Sequence, residues 1–305
     1  MKITIVGMGA LGILFGDRIT DTLGKEAVTF LADRERIEKY QQKGVYCNGK
    51  HCDFQMSDQA QPADLLNFAV KGTALQQAAQ QAREAVGEET IILSLLNGIS
   101  SEELLWQYLG KGHIVHCIAQ GMDAVKLGNK LTYSHAGELR IGTPEAENQP
   151  FVDRAAGMLS QAGVPYVIEK DIMHRLWGKW MLNVGVNQVV MVSEGTYRTV
   201  QQPGKERDLM RSAMEEVLKL SEKAGTGVTR QDLEDYIALT DTLNPEGMPS
   251  MRQDGLVRRY SEVELFAGTV IRKGEQYGVP VPVNRMLYER ILEIEAAYHC
   301  HHSIG

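Results

Sequence analysis

A glycine-rich segment near the start of the chain limits the possible fold more than any other feature of the sequence. Residues 2–6, which include Ile3, Ile5 and Val6, predict a short buried strand, and they run directly into Gly7-Met8-Gly9-Ala10-Leu11-Gly12. An apolar pattern of helical period follows at once. A GxGxxG sequence between a strand and a helix lets backbone N–H groups approach a pyrophosphate, whose charge then lies at the helix N-terminus. These six residues therefore predict a dinucleotide-binding site in a βαβ unit.

The remaining pattern divides the chain into a mixed half and a helical half. Up to residue 168, strand-like and helical segments alternate, which is typical of an α/β fold with a parallel sheet. From residue 171 onward only helical patterns recur. A chain of 305 residues is also longer than a single core usually supports. We therefore predict a Rossmann-type parallel-sheet domain over residues 1–168 and an all-α domain over residues 169–305.

The pattern also predicts individual elements within the two domains. A hairpin is expected around Asn48-Gly49, and residues 130–134 and 138–141 are expected to form a second hairpin that extends the sheet. The other predicted strands are 27–31, 65–70, 90–96, 113–121 and 165–168, and the predicted helices are 73–86, 151–161, 171–193, 205–224, 229–240, 256–277 and 283–297.

Polar residues at the ends of the predicted strands are candidates for binding the cofactor. Asp33 follows the second strand, where a Rossmann unit meets the adenosine ribose, and an acid there favours NAD. Arg34 and Arg36 would instead clasp a 2′-phosphate and favour NADP, or they belong to a charged helix N-terminus at the surface. Lys71 and Asn97 end two further strands, where ligands gather; a solvated loop is the alternative for Lys71 and an Asn-Gly turn the alternative for Asn97.

A stripe of polar side chains marks the segment around residues 177–187. In a helix, Lys179, Asn183 and Asn187 fall at i, i+4 and i+8 on one face and span about 12 Å, the length of a small polar metabolite. A solvated helix face is the alternative. The flanking residues are apolar almost all round, which indicates a buried helix whose polar groups need partners. We therefore expect this stripe to bind or transform a ligand.

Composition excludes several classes of partner. The net charge of −7 gives no indication of binding to nucleic acid or an anionic membrane. We expect no signal peptide and no transmembrane segment, because the apolar stretches are short and interrupted by glycine. The four cysteines show no paired spacing, which favours the cytoplasm. We expect no metal site, even in the His299-Cys300-His301-His302 tail, and either a monomer or a homodimer.

Three features in this order and spacing identify a resemblance to a known family. They are the N-terminal GxGAxG, the Lys179-x₃-Asn183-x₃-Asn187 stripe after a Trp, and Ser250-Met-x-Gln-Asp with Ser261-Glu262 just beyond it. Together they resemble the ketopantoate reductases (2-dehydropantoate 2-reductases), and the resemblance covers nearly the whole chain. Each feature alone is a weak signal, whereas the combination is specific.

The resemblance implies a fold, an activity and a set of site residues. The implied fold is a Rossmann domain joined to a helical domain like that of 6-phosphogluconate dehydrogenase, with the active site in the cleft between them. The implied reaction is reduction of ketopantoate to pantoate by a nicotinamide cofactor, normally NADPH, on the way to pantothenate. The implied roles are general acid for Lys179; an acid beside nicotinamide and substrate for Glu262; substrate contacts for Asn183, Asn187 and Ser250; contact with both substrate and cofactor for Asn97; and cofactor contacts for Lys71 and Ala124.

Four positions depart from the family pattern. Asp33 stands where most members carry an Arg for the 2′-phosphate, and Gly247, Tyr197 and Ala267 replace polar residues expected near the substrate. These departures leave open NAD as cofactor and another branched 2-oxo acid as substrate. Two further hypotheses are an oxidoreductase of the same architecture acting on a 3-hydroxy acid or polyol phosphate, and a non-catalytic redox sensor that binds a dinucleotide.

Overall fold

A computed structural model describes residues 1–298 and divides the chain into two compact units. The first unit is Met1–Ile172, and the second begins at Met173. The predicted boundary at residue 168 lies slightly before this division. The His299-Cys300-His301-His302 tail, for which no metal site is expected, lies outside the described residues.

The first unit is a Rossmann-type α/β fold with two sheets. Its strands are β1 (Ile3–Val6), β2 (Val28–Leu31), β3 (Tyr46–Cys47), β4 (Lys50–His51), β5 (Gln55–Ser57), β6 (Leu65–Phe68), β7 (Ile91–Ser94), β8 (His113–Met122), β9 (Val125–Leu127), β10 (Lys130–Thr132), β11 (Ala136–Gly142) and β12 (Tyr166–Ile168). Its helices are α1 (Ala10–Leu23), α2 (Arg34–Lys43), α3 (Leu75–Ala82), α4 (Ser101–Leu109) and α5 (Gln149–Gln161).

The larger sheet has eight strands in the order β12-β11-β8-β7-β6-β1-β2-β5. Strands β5, β2, β1, β6, β7 and β8 run parallel, β11 is antiparallel to β8, and β12 is parallel to β11. Because β1 pairs with β2 on one side and with β6 on the other, the strand order reverses at β1. In open sheets of this kind ligands bind beyond the carboxyl ends of the strands at that point.

Helices cover both faces of this sheet. On one face Ile3 and Ile5 of β1 pack in a core cluster with Leu14 of α1 and Val152 of α5. On the other face lies a second cluster, formed by Leu66 and Phe68 of β6 with apolar residues of α3 and α4. Strands buried on both faces read as continuous apolar runs, which is why the sequence predicted them as buried strands.

A second, four-stranded sheet has the order β4-β3-β10-β9 and corrects one prediction. The hairpin at Asn48-Gly49 is confirmed, and both residues have positive φ, as a tight β-hairpin turn requires. The predicted hairpin of 130–134 with 138–141 is wrong. β10 pairs with β9 and β3, whereas β11 pairs with β8 and extends the larger sheet, as expected for residues 138–141. Between β10 and β11 the chain turns, and there the Asp123 carboxylate accepts from the N–H groups of Ser134 and His135.

The second unit is helical, and the structure assigns no strand among residues 173–298. Its helix α6 (Ile172–Val192) starts at the last residue of the first unit. The other helices are α7 (Tyr197–Gln201), α8 (Lys205–Ala224), α9 (Arg230–Asp241), α10 (Ser250–Leu256), α11 (Ala267–Tyr277) and α12 (Pro282–Ala296). Within residues 1–298, no helix combines the length and the apolar character that crossing a bilayer requires.

The helix predicted over residues 256–277 is wrong in its first half. α10 ends at Leu256, Arg258 is left-handed with φ of 49°, and the N–H of Arg259 bonds back to the carbonyl of Asp254. This closes the helix in the way that a glycine usually does, so the sequence carried no visible stop signal. Arg258, Arg259 and Glu262 therefore lie in a loop, and α11 starts only at Ala267.

A buried carboxylate joins α8 to α12. Glu216 is 4% exposed, and its two oxygens accept from the backbone N–H groups of Val283 and Asn284 at 2.8 and 2.9 Å and from the Asn284 side chain at 2.8 Å. The Asn284 amide oxygen accepts in turn from Gln188 of α6 at 3.0 Å. The carboxylate thus satisfies donors at the N-terminus of α12, where a negative charge is favourable.

We expect Glu216→Ala to lower the free energy of unfolding by about 3 kcal/mol, because it leaves several buried donors without an acceptor. Urea unfolding followed by tryptophan fluorescence measures this. Glu222→Ala on the same helix is the matched control, since Glu222 is exposed, and we expect it to change the free energy by less than about 0.5 kcal/mol. Equal effects of the two substitutions would contradict the role given to Glu216.

Candidate functional site

The turn between β1 and α1 brings backbone atoms into unusually close contact. Gly7 has φ of +107°, and a Cβ there would lie 2.6 Å from the carbonyl oxygen of Ala69, the residue that follows β6. A Cβ at Gly12 would lie 2.2 Å from the carbonyl oxygen of Gly7. Only glycine fits at either position. The predicted strand, glycine turn and helix are therefore confirmed, and the turn can hold a pyrophosphate against its backbone.

The N-terminus of α1 is open to an anion. Gly9 is the N-cap residue and has no side chain, and no side chain among the described residues caps the helix. The first N–H groups of a helix have no partner within it and carry partial positive charge. A dinucleotide pyrophosphate supplies the acceptors that these groups lack, so the residues present fit that group.

Other predicted cofactor residues lie at the same edge of the sheet. Lys71 follows β6 and Asn97 follows β7, and both are half-buried. Ala124 follows β8, where it packs against the core of the first unit. Since β6, β7 and β8 are adjacent parallel strands, their carboxyl ends meet at one edge, next to the glycine turn after β1.

Asp33 forms the N-cap of α2. One of its oxygens accepts from the backbone N–H of Arg36 at 2.8 Å, and the other lies 3.1 Å from the Arg36 guanidinium. Arg34 is exposed and pairs with Glu38 at 3.3 Å. The surface charge cluster considered from the sequence is thus present. It places a carboxylate, rather than a free guanidinium, at the end of β2.

Helix α6 carries the predicted polar stripe as one continuous helix, so this part of the prediction is confirmed. Trp177 and Trp180 are buried, and the Trp180 indole N–H donates to the carbonyl of Leu265 at 2.9 Å. Lys179 and Asn183 are half-buried. The tryptophans therefore anchor the helix in the core, while Lys179 and Asn183 of the polar stripe stay partly exposed to solvent.

The structure brings three of the predicted substrate residues together. The Asn187 amide oxygen accepts from the Ser250 hydroxyl at 3.2 Å and from the backbone N–H of Met251 at 3.3 Å. Its amide nitrogen donates to the Asn183 amide oxygen at 3.3 Å. Ser250 and Met251 form the first turn of α10, so this helix N-terminus is fixed against the stripe on α6.

Glu262 lies in the loop between α10 and α11, and a buried acid fixes that loop. The neighbouring Ser261 donates its backbone N–H to the Glu295 carboxylate of α12 at 2.8 Å. Glu295 is only 3% exposed. Sequence reasoning missed Glu295, although an acid on the apolar side of the 283–297 helical pattern was a usable signal.

Two of the three departures expected near the substrate are neighbours in space. A Cβ at Gly247 would lie 3.1 Å from the Tyr197 ring, and the Tyr197 N–H donates to the Gly247 carbonyl at 3.0 Å. Burial raises the pKa of the Tyr197 hydroxyl, which therefore stays protonated at neutral pH. The third departure, Ala267, is fully buried at the start of α11.

Within the described part of the chain, no group of three or more His, Cys, Asp or Glu side chains is arranged to hold a metal ion.

Comparison with known proteins gives a consistent result along the chain. The model of a family described as "Ketopantoate reductase PanE/ApbA" matches residues 3–147, and the model of its C-terminal domain matches residues 171–295. A 2-dehydropantoate 2-reductase of Streptococcus pyogenes serotype M3 (strain ATCC BAA-595 / MGAS315) is 23% identical over 304 residues, which cover 97% of this chain and 98% of that protein.

Solved structures share the fold. A PanE/ApbA family ketopantoate reductase from Ralstonia eutropha JMP134 superposes with a TM-score of 0.86 at 24% identity, covering 98% of this chain and 99% of that one. D-mandelate dehydrogenase, solved with NADH and anilino(oxo)acetate, gives a TM-score of 0.86 at 20% identity, with the same coverage of both chains. At these identities the structures establish the architecture alone.

We expect Gly12→Ala to raise the dissociation constant for NADH or NADPH by at least about tenfold, the equivalent of about 1.4 kcal/mol. The added methyl would push α1 away from the glycine turn. Titration of cofactor fluorescence measures the affinity. Gly157→Ala is the matched control, because Gly157 is an exposed residue of α5 with open space around its Cβ position. Unchanged affinity in Gly12→Ala would refute the predicted pyrophosphate site.

Proposed function

The chain belongs to the ketopantoate reductase family, and from this premise we propose that it is a nicotinamide-dependent oxidoreductase that reduces ketopantoate to pantoate in pantothenate biosynthesis. The observation that carries the proposal is the stripe on α6. Lys179 lies one helical turn before Asn183, which is hydrogen-bonded to Asn187 and through it to Ser250. One ammonium and a chain of amides on one face suit a substrate with two adjacent oxygen functions, such as a 2-oxo acid.

The chemistry of the reaction agrees with this arrangement. A nicotinamide dinucleotide, when bound at the glycine turn, would supply the hydride that the carbonyl carbon of the substrate takes up. Lys179 stabilises the negative charge that develops on the carbonyl oxygen, and its Nζ gives that oxygen a proton. The amide groups hold the substrate carboxylate in a fixed direction, which contributes to the rate through orientation. Glu262 is the second catalytic residue proposed for the site, and its loop is held by the hydrogen bond from the Ser261 N–H to the Glu295 carboxylate.

We propose that the cofactor is NADH rather than the NADPH that the resemblance implies. Asp33 places a carboxylate at the end of β2, where it accepts a hydrogen bond from the ribose 2′-hydroxyl and repels a 2′-phosphate. Both neighbouring guanidinium groups are engaged, Arg36 with Asp33 and Arg34 with Glu38.

A second candidate substrate is another branched 2-oxo acid, and the Tyr197–Gly247 pair favours it. The Tyr197 ring lies 3.1 Å from the position of a Cβ at residue 247, so an aromatic ring stands beside glycine where the family pattern has two polar residues. A less polar pocket favours a less polar side chain than the hydroxymethyl branch of ketopantoate. A phosphorylated substrate and a non-catalytic sensor remain the weaker alternatives. Cys47, Cys52 and Cys117 form no disulfide bonds with one another, which fits the proposed cytoplasmic location.

We expect Lys179→Ala to lower kcat by about 10²- to 10⁴-fold, because the developing alkoxide loses its proton donor, while dinucleotide affinity stays unchanged. Initial rates of nicotinamide oxidation with ketopantoate and a panel of branched and aromatic 2-oxo acids measure this and rank the substrates. Lys219→Ala, an exposed position on α8, is the control. Absence of turnover with the whole panel by the unmodified enzyme would refute the proposed reaction.

We expect the unmodified enzyme to prefer NADH, and Asp33→Asn to lower the ratio of kcat/KM for NADH over NADPH by at least about tenfold. Asparagine keeps the hydrogen bond that caps α2 and removes only the charge. Glu35→Gln, an exposed charge change in the same helical turn, is the control and should leave the ratio within about twofold. A preference of the unmodified enzyme for NADPH would show that the assignment to NADH is wrong.

A further inference from the structure

We propose that Asn187 is a positioning residue that sets the direction of a chain of amide hydrogen bonds, so that Asn183 presents N–H donors to the substrate carboxylate. The resemblance implies that both asparagines contact substrate. The hydrogen bonds give them different tasks. This inference rests on the proposed reduction of a 2-oxo acid.

The direction of the chain starts at a backbone group. The Met251 N–H can only donate, so the Asn187 atom 3.3 Å from it has to be the amide oxygen. The Ser250 hydroxyl adds a second donor to the same oxygen at 3.2 Å. Asparagine side chains can usually be turned over without a visible change in shape, but a backbone donor removes that freedom here.

The direction then passes along α6. Once the Asn187 oxygen faces α10, its NH₂ group faces Asn183, 3.3 Å away. An amide nitrogen cannot accept a hydrogen bond, so the Asn183 atom at this contact is its oxygen. The Asn183 NH₂ group is therefore the free end of the chain, and within residues 1–298 no hydrogen bond holds it.

The two asparagines differ in burial, in agreement with a positioning role for Asn187 and a substrate contact for Asn183. Asn187 is only 5% exposed and uses its oxygen and its nitrogen on protein partners. Asn183 is half-buried and lies one turn closer to Lys179.

This face of α6 thus offers an ammonium and an NH₂ group, both of them donors. A carboxylate next to a carbonyl offers acceptors only, and hydrogen bonds from N–H groups to a carboxylate are charge-assisted. The direction of the asparagine hydrogen bonds therefore favours a 2-oxo acid over the corresponding 2-oxo amide as substrate.

Asn187→Asp tests the direction, because it keeps the size and the acceptor but removes the donor. A carboxylate at position 187 still accepts from Met251 and Ser250, and Asn183 then turns its NH₂ group toward it. Asn183 would present an oxygen to the substrate. We expect KM for the 2-oxo acid to rise by about 10- to 100-fold with a smaller change in kcat. The ratio of kcat/KM for the acid over the matching 2-oxo amide should fall. An unchanged ratio overturns the proposal.

A double-mutant cycle separates this effect from simple charge repulsion by the carboxylate introduced at position 187. Asn183→Leu removes the donors themselves, and we expect it to raise KM at least as much as Asn187→Asp. If Asn187 acts through Asn183, the double variant Asn183→Leu/Asn187→Asp has nearly the KM of Asn183→Leu alone. If Asn187 contacts the substrate, or if the introduced charge acts directly, the two effects multiply, and the proposal is overturned. Thermal unfolding midpoints establish that each variant is folded.

A measurement without substrate distinguishes failure of this inference from failure of the proposed function. Side-chain NH₂ signals of asparagine-labelled protein are assigned with the two single variants. The Asn187 NH₂ signal should exchange its protons with water more slowly than the Asn183 signal, because only the former is buried and hydrogen-bonded. Equal exchange overturns the hydrogen-bond chain even in an active enzyme. Slow exchange of Asn187 in a protein inactive on all 2-oxo acids supports the chain and refutes the proposed reaction.

Discussion

The second unit depends on the need to satisfy polar groups along a buried helix. α6 places Trp180, Asn187 and Gln188 among apolar side chains, where an unpaired donor would cost about 1–3 kcal/mol. The side-chain donor of each is paired through a different part of the unit. Trp180 bonds to the segment before α11, Asn187 to the start of α10 and Gln188 to Asn284 of α12. The same contacts that stabilise the unit therefore also hold α6, and with it the proposed substrate-binding stripe, against α10 and α12.

In the first unit, the proposed ligand contacts come from the backbone, whereas in the second unit they come from side chains. The approach of Gly7 and Gly12 to neighbouring carbonyl oxygens leaves no room for a Cβ, and α1 begins without a side-chain cap. Backbone recognition constrains residue size, so it leaves a fixed spacing of glycines in the sequence. Side-chain recognition in the second unit constrains the direction of hydrogen bonds and the identity of their partners. Such constraints leave a weaker pattern in the sequence than a fixed spacing of glycines.

This difference explains which parts of the structure could be predicted. The strand–turn–helix at residues 3–23 and the single helix through Lys179, Asn183 and Asn187 follow from local patterns, and both are confirmed. The pairing of β10 with β3 joins residues that are far apart in sequence, and no local pattern records it. The loop after α10 was missed because Arg258, not glycine, is left-handed there. A backbone donor such as the Met251 N–H is invisible in any sequence, although it orients the side chains predicted for the site.

The departures from the family pattern need not be independent changes. Tyr197 and Gly247 touch, and a Cβ at position 247 would lie 3.1 Å from the tyrosine ring, so a large ring at one position favours glycine at the other. Two apparent losses of polar residues thus amount to one replacement of a polar surface by an aromatic one. The stripe on α6 and its anchor at α10 are untouched by it. The residues proposed to recognise the 2-oxo acid group keep the types that the resemblance implies, and the proposed change of substrate rests on the Tyr197–Gly247 pair alone.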